Sequence, residues 1–547
     1  MADSDALTVI DQLDPKPPAR VASPTFCVRL WQHMHLQANG ELLACCLFHG
    51  GPVTQDGVAV STNRQSLMEI WNADTLRDLR RAMVEGERIT GCDMCYAAEE
   101  RGGESIRQFD NRTWESNWAN EPRATIDEMI ATAIDNDFRL PKLPEMIDFQ
   151  AASLCNLKCR MCNSANSSKI AKDTVQRSWE PKEVYPHEDP TFKWLRSMEN
   201  LVDELAKDTG SEVRRLSFAG GEPLLLREIP TLLERLIAAG RAQLLSLTFI
   251  SNGSIVPRWL SLAPQFRRFD LIISIDGYAD HYDYIRYPGR WSKLTRNLQL
   301  FRKIPNIHVQ ATITIQVNNV LSLTNLFRYL DAVGIGFDGY LLFHPMRLAV
   351  NILPASVRRV AAARLLDYAE TDCHPHHREL VRSFAAQIES GDDTGDRKLL
   401  REFMLFSNDL DASRGQSIHS TDPELVALLE QAGFPWIDET LHAPPNGAAL
   451  QLLRRIPALM PAQNEALKLH HDLAITIKSL RDELTQTQAE LTQKSDELRM
   501  RKEQASLQLA QLYASRSWRL TRPLRAVGRR LRRWRQASSA AGRPATG

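Results

Sequence analysis

This sequence predicts an α/β protein, with six βα units in a row, a cysteine-rich domain ahead of them and a helical extension behind. Three observations carry that expectation. Apolar, β-rich runs at Met146–Ala151, Val213–Ala219, Leu245–Ser251, Asp270–Asp276, His308–Ile315 and Gly339–His344 alternate with amphipathic helical stretches such as Ile229–Ala239 and Leu321–Ala332, the pattern of parallel βα units. Cysteines bunch in the first hundred residues and again directly behind the first run. From Pro354 onward the chain turns helix-prone and ends in a long heptad stretch and a basic tail.

At 547 residues, two or three domains are expected. A content of 43% hydrophobic and 24% charged residues is that of a globular protein, and a net charge of zero argues against the whole chain being a nucleic-acid binder. No run has the length of a membrane span; Leu244–Ile250 is strand-sized. Residues 1–22 begin acidic, lack an apolar signal core and are expected to be disordered, so a cytoplasmic location is expected. Seven of the nine cysteines fall in close pairs or a triplet, which in a cytosolic chain reads as metal ligation rather than disulfides.

Residues 23–125 read as one domain. Cys27 opens a run whose apolar residues recur around Asn39-Gly40, a hairpin signal, with Cys45 and Cys46 on the returning strand. Leu67–Glu85 has helical spacing, and Cys92-Asp93-Met94-Cys95 follows as a Cys-x2-Cys knuckle. Cys27, Cys45, Cys92 and Cys95 together make a closed four-thiolate site that suits zinc and iron–sulfur equally. Cys46 either replaces Cys45 as ligand or is an ordinary buried thiol.

Residues 140–350 carry the six units. Behind the first run, Cys155, Cys159 and Cys162 stand at Cys-x3-Cys-x2-Cys within Ala151–Ser168. A cubane cluster normally takes four thiolates, so three raise the question of what occupies the fourth iron. A closed zinc site wants a fourth Cys or His nearby, and Asn163, Ser164, Asn166 and Ser167 offer none. The second run ends in Gly220-Gly221-Glu222-Pro223, where glycines admit close backbone approach and the glutamate accepts from an ammonium group. The third ends in Ser251-Asn252-Gly253 and the fourth in Ser274-Ile275-Asp276-Gly277, polar residues that turns also favour for their own reasons.

The ordered pair of cysteine triplet and GGEP resembles the radical S-adenosylmethionine (radical SAM) superfamily. Met161 departs from its frequent aromatic residue before the third cysteine and serves as a soft apolar contact instead. The resemblance implies a partial (β/α)6 radical SAM barrel with a [4Fe–4S] cluster on Cys155, Cys159 and Cys162 and the methionine part of S-adenosylmethionine on the open iron. Gly220, Gly221, Glu222 and Pro223 would hold the cofactor's amino group. Asn252, Ser274 and Asp276 are candidates for its ribose hydroxyls or carboxylate, and Arg286 and Asn318 for the substrate side. Cys27, Gly40 and Cys45, then the Leu67 helix with Cys92 and Cys95, resemble SPASM and twitch domains; cysteines for one auxiliary cluster make twitch the fitting label. The order of domains and Tyr96–Trp114 resemble twitch-domain radical SAM proteins. The implied reaction is reductive cleavage of S-adenosylmethionine to a 5′-deoxyadenosyl radical that abstracts hydrogen from substrate. The auxiliary [4Fe–4S] cluster assists electron transfer, and a flavodoxin or ferredoxin is the implied electron donor.

Residues 351–466 are helix-prone and carry no assignable role; Cys373-His374-Pro375-His376-His377 reads as an exposed loop rather than a metal site. In 467–514, Ile477, Leu484, Leu491, Leu498, Ala505 and Leu512 repeat every seven residues, a one-residue stripe consistent with a coiled-coil homodimer or a docked amphipathic helix. Residues 515–547 form a basic tail, with nine arginines in Ser515–Gln536 interleaved with Trp518, Leu524, Leu531 and Trp534. That composition suits an anionic membrane surface, peripheral at the inner membrane, with RNA or an acidic partner as alternatives. SWRLTRPLR also resembles tails of bacterial glycosyltransferases of surface-polysaccharide pathways, so a carbohydrate or nucleotide-sugar substrate is expected, with a peptide as the alternative. The rival from another class is a non-catalytic metal-binding scaffold acting through its coiled coil and tail; the intact GGEP counts against it.

Overall fold

The computed structural model describes residues 23–100, 105–115, 124–150, 152–181, 202–204, 213–390 and 395–442, with Gln504 and Gln508 beyond them. It divides into two compact units, Met1–Ala458 and Leu459–Gly547. The expected disordered start, the heptad stripe and the basic tail all lie outside the described residues. None of the helices among the described residues is long and apolar enough to cross a membrane.

Ten strands are described: β1 (His33–Leu36), β2 (Leu42–Leu43), β3 (Thr54–Gln55), β4 (Val58–Ala59), β5 (Met146–Gln150), β6 (Arg215–Ala219), β7 (Ser246–Ser251), β8 (Arg268–Ser274), β9 (Ile307–Ile315) and β10 (Phe337–Leu341). β3 and β4 form a separate hairpin, and the other eight share one sheet in the order β10-β9-β8-β7-β6-β5-β1-β2. β5 to β10 are parallel and in sequence order, the arrangement that right-handed βα crossovers produce. Helices Glu228–Ala238, Trp291–Phe301 and Leu323–Val333 provide crossovers after β6, β8 and β9. The α/β expectation with six parallel strands thus holds.

Alternation sets the two faces of this sheet. Along β7 and β8 every second residue is buried while its neighbours are partly open. The buried face carries Phe149, Phe218, Phe249 and Phe269, stacked across β5 to β8 with centroids 5.2, 4.7 and 5.1 Å apart. Such offset stacks add to the area they bury and fix the strands' mutual register. The sixth strand, Phe337–Leu341, starts and ends earlier than the expected Gly339–His344; inside it, a Cβ at Gly339 would meet the Ile313 carbonyl oxygen at 2.7 Å.

The cysteine-rich segment is not a separate layer: β1 pairs in parallel with β5, placing His35 opposite Asp148. Asn39-Gly40 makes the expected turn between β1 and β2, with Gly40 at φ +82°. The expected single helix over Leu67–Glu85 is two, Leu67–Trp71 and Asp74–Glu85. Asn72 separates them because its amide bonds the backbone of Leu140 in both directions, at 2.9 and 2.7 Å. Arg80, fully buried, donates to the carbonyls of Leu30, Trp71 and Phe138 and ties this segment together. After β10 come helices Ala355–Thr371, Arg378–Glu389, Arg397–Arg414, Ile418–Thr421 and Pro423–Gln431. The Cys373–His377 run is a short turn held by Asp331, which bonds His377 Nδ1 at 3.0 Å and the His374 amide at 3.1 Å.

Candidate active site

The cysteine triplet lies in the loop that leaves β5. Cys155, Leu157 and Cys159 are buried as one cluster with Met161 and Cys162 packed against it. Short backbone bonds hold this loop to the end of β6: the Gly221 amide donates to the Ala152 carbonyl (2.6 Å) and the Glu222 amide to the Leu154 carbonyl (2.8 Å). The two glycines have separate reasons. Gly220 has φ +103°, a conformation side chains disfavour. At Gly221 a Cβ would stand 2.4 Å from the Leu154 carbonyl oxygen.

Glu222 is 1% exposed. Its Oε1 accepts from the Leu224 amide (3.0 Å) and Ser251 Oγ (2.8 Å), and its Oε2 from the Asn252 amide (2.7 Å). A carboxylate has about four acceptor positions, so Oε2 retains room for a further donor. Burial pushes its pKa up to about 7, against the pull of those three bonds and of Arg286. Asn252 Nδ2 points at Cys155 Sγ (3.9 Å) and bonds Asn156 Oδ1 (2.9 Å). The third strand end, the GGEP turn and the cysteine loop therefore meet.

Asp276 is placed differently from a free ligand. It is fully buried, its Oδ1 accepts from the Thr314 amide (2.8 Å), and its Oδ2 stands 2.6 Å from Arg286 Nη2. The same guanidinium puts Nη1 3.9 Å from Cys159 Sγ. Arg286 thus links the fourth strand end to the cysteine loop. Ser274 ends β8 opposite Thr312, partly exposed. Asn318 is buried after β9, its Nδ2 3.4 Å from Gln316 Oε1; Asn318 Oδ1 and Gln316 Nε2 have no hydrogen-bond partner among the described residues.

Burial raises the pKa of all three thiols, Cys159 to about 12, while Arg286 pulls each of them down. Binding a metal must therefore release protons, and a buried cation beside the thiolates offsets part of that cost. Three thiols, an adjacent cation, a glycine cradle closed to any Cβ and two orphaned polar atoms fit a thiolate-held cluster with a polar organic cofactor beside it.

At the other cysteine site, Cys27, Cys45 and Cys92 line one cavity with Arg29 and Phe48. Cys95 is buried on the helix Asp93–Glu100, and its charge raises the pKa of Cys92. Cys46 points outward to Arg29 Nη1 at 3.6 Å, which leaves Cys45 as the inward member of the pair. Burial again pushes these thiols up, Cys45 to about 12 and Cys92 to about 11, with Arg29 and Arg107 pulling the other way. Three thiols lining one cavity, with Cys95 beside Cys92 and two cations near, suit a thiolate site here too.

Several residues that hold the core loop carry no motif. Gln176 Nε2 bonds the carbonyls of Cys159 (2.9 Å) and Cys162 (3.3 Å). Arg160, 1% exposed, pairs with Asp411 at 2.5 Å and donates to the Tyr284 carbonyl at 3.0 Å. Arg414 donates to Gln176. The helix Arg397–Arg414 is thus part of the loop's support.

Two family models match the chain: the radical SAM superfamily over residues 151–318 and the SPASM iron-sulfur cluster-binding domain over residues 27–96. Among curated proteins no relative is found. Solved structures similar to part of the chain include native anSMEcpe with bound AdoMet and a Cp18Cys peptide, at 18% identity and TM-score 0.29 over 41% of this chain. The chain spans 58% of that enzyme's length. Another is Streptococcus suis SuiB bound to S-adenosylmethionine, at 13% identity and TM-score 0.31, over 61% of this chain and 68% of SuiB.

Proposed function

We propose that this chain, which carries a radical SAM domain behind a SPASM-type iron–sulfur domain, is an enzyme that takes a hydrogen atom from an unactivated C–H bond of its substrate. The observation that carries the reading is the convergence of the cysteine loop, the GGEP turn, Asn252 and Arg286 on one place behind the parallel strands. When bound there, a [4Fe–4S] cluster and S-adenosylmethionine supply reductive cleavage of a sulfonium and hydrogen abstraction. Cys155, Cys159 and Cys162 hold the cluster, and Gly220, Gly221, Glu222 and Pro223 the cofactor's amino end. Asn252 and Ser274 are the polar groups assigned to its remainder, while Asp276 orients Arg286 against Cys159. Buried Leu157 and partly buried Met161 shield the site from water. Cys27, Cys45, Cys92 and Cys95 would hold an auxiliary cluster, and the chemistry supplied there would be electron transfer.

For the substrate, SWRLTRPLR favours a carbohydrate or nucleotide-sugar; a peptide is the second reading, favoured by the SPASM match. The test of the reaction is anaerobic: the reconstituted full chain with a strong one-electron reductant forms 5′-deoxyadenosine slowly without substrate. A fully loaded chain that never forms it refutes the reading.

Glu222 gives a pH-dependent prediction. Its folded pKa of about 7 lies above its ordinary 4.5, so the cofactor-free fold holds an extra proton between those values and loses stability as pH rises through that window. An ammonium group at Oε2 favours the ionised form. Affinity for S-adenosylmethionine, measured by calorimetry, should therefore climb between pH 5 and 7, by at most about tenfold per unit, then level. In Glu222→Gln the profile should be flat and the affinity lower. A wild-type profile as flat as the variant's contradicts this role.

A further inference from the structure

We propose that His33, His35 and Asp148 form a further metal site, separate from both cysteine sites, for a single divalent ion of borderline softness, zinc or ferrous iron. The pairing of β1 with β5 sets Asp148 opposite His35, and His33, two residues earlier, shares that face. The three are 4, 6 and 8% exposed. One ligand atom from each lies within 4.8 Å of the others. His35 Nδ1 is 2.8 Å from Asp148 Oδ2, and His33 Nε2 stands 3.7 Å from that same oxygen. Ions of this class take nitrogen and oxygen ligands at about 2.0–2.2 Å, which puts the ligand atoms roughly 3–3.5 Å from one another. Small adjustments therefore close the set.

The bland alternative is a hydrogen-bonded His35–Asp148 pair with His33 stacked beside it, centroids 6.2 Å apart. It leaves His33 unexplained. That imidazole is buried, its Nε2 lies beyond hydrogen-bond range of Asp148, and its Nδ1 has no hydrogen-bond partner among the described residues. A buried imidazole whose one polar contact is a long 3.7 Å approach to a carboxylate is poorly satisfied, and an ion shared with Asp148 and His35 would give its Nε2 a direct bond. Two imidazoles and one carboxylate leave coordination positions open, the donor set of catalytic zinc and non-haem ferrous sites. His33 also lines a cavity with Arg29, Gln32, Asp110 and Glu145.

The test uses the full chain with its cysteine sites loaded with iron and sulfide, then exposed to zinc and desalted. Wild type should retain one zinc per chain, seen at the zinc X-ray absorption edge with nitrogen and oxygen neighbours only. Asp148→Asn and His33→Gln, which keep side-chain volume, should each lose that zinc while iron content and circular dichroism stay unchanged. No retained zinc in wild type together with no iron atom lost in Asp148→Asn, equal retention in both variants, or a sulfur-only shell would overturn the proposal. In chains isolated anaerobically without added metal, the element that falls by one atom in Asp148→Asn names the resident ion. If neither zinc nor iron falls, the site is not a metal site.

Discussion

Replacing Cys159 with alanine should take 5′-deoxyadenosine formation below detection and remove about half of the chain's iron. Two cubane clusters would bring about eight irons per chain, four at each site. Cys159 is 9% exposed, packed with Cys155 and next to Arg286. Without it the core site keeps two thiols and an unpartnered buried guanidinium edge, too few to retain a cluster. The iron that remains is assigned to Cys27, Cys45, Cys92 and Cys95, and the Cys27→Ala chain should show the converse loss. Iron assay and chromatography of the products read both effects. Cys373→Ala is the control: Cys373 is buried beside Asp331, far from either site in its contacts, and should change neither readout. Stoichiometric zinc in place of iron at the N-terminal thiols would contradict the auxiliary cluster.

The second large effect is on stability. Arg160→Met should destabilise the fold by about 3–5 kcal/mol, because it strands Asp411 without its cation in the interior. Asp411 is 2% exposed, with Oδ2 accepting from the Ile418 amide at 2.7 Å and Oδ1 from Arg160 at 2.5 Å. Arg160 also lies over the Tyr284 ring at 3.5 Å. Since Arg160 is the residue between Cys159 and Met161, the loss should loosen the cysteine loop and lower iron retention at the core site alone. The double change Arg160→Met with Asp411→Leu should recover most of the stability, as an apolar replacement leaves no charge unpaired. Denaturant unfolding measures the first effect; a loss below about 1 kcal/mol would mean the pair is solvated and the helix Arg397–Arg414 supports nothing.

The contrast between those two residues shows where legibility ends. Cys159 is readable because cluster chemistry needs thiolates at short spacing, and short spacing is visible in the chain. Gly220 and Gly221 are readable for the same local reason, although which one turns the backbone and which one makes room for Leu154 is not. Arg160 sits inside the same motif and carries no signal, since its partner is 251 positions away. Asp276 reads as a ligand at a strand end, yet a neighbouring element takes up its carboxylate through Arg286 and the Thr314 amide. The break at Asn72 was hidden for a similar reason, as Leu140 makes it.

What the amino-acid order determined by itself was everything set by near neighbours: six strands from apolar runs, the hairpin at Asn39-Gly40, two groups of thiols and the GGEP turn. Tertiary structure alone decided what faces those groups. It made β1 an extension of the barrel sheet, which puts His33 and His35 beside Asp148. It turned Cys45 inward and Cys46 outward, and brought Gln176, Arg286 and Asp411 to the cysteine loop. The physical reason is one of range. Backbone propensity and ligand spacing act over a few residues, whereas desolvated charges and hydrogen bonds select partners by distance in space, which the chain order does not encode locally.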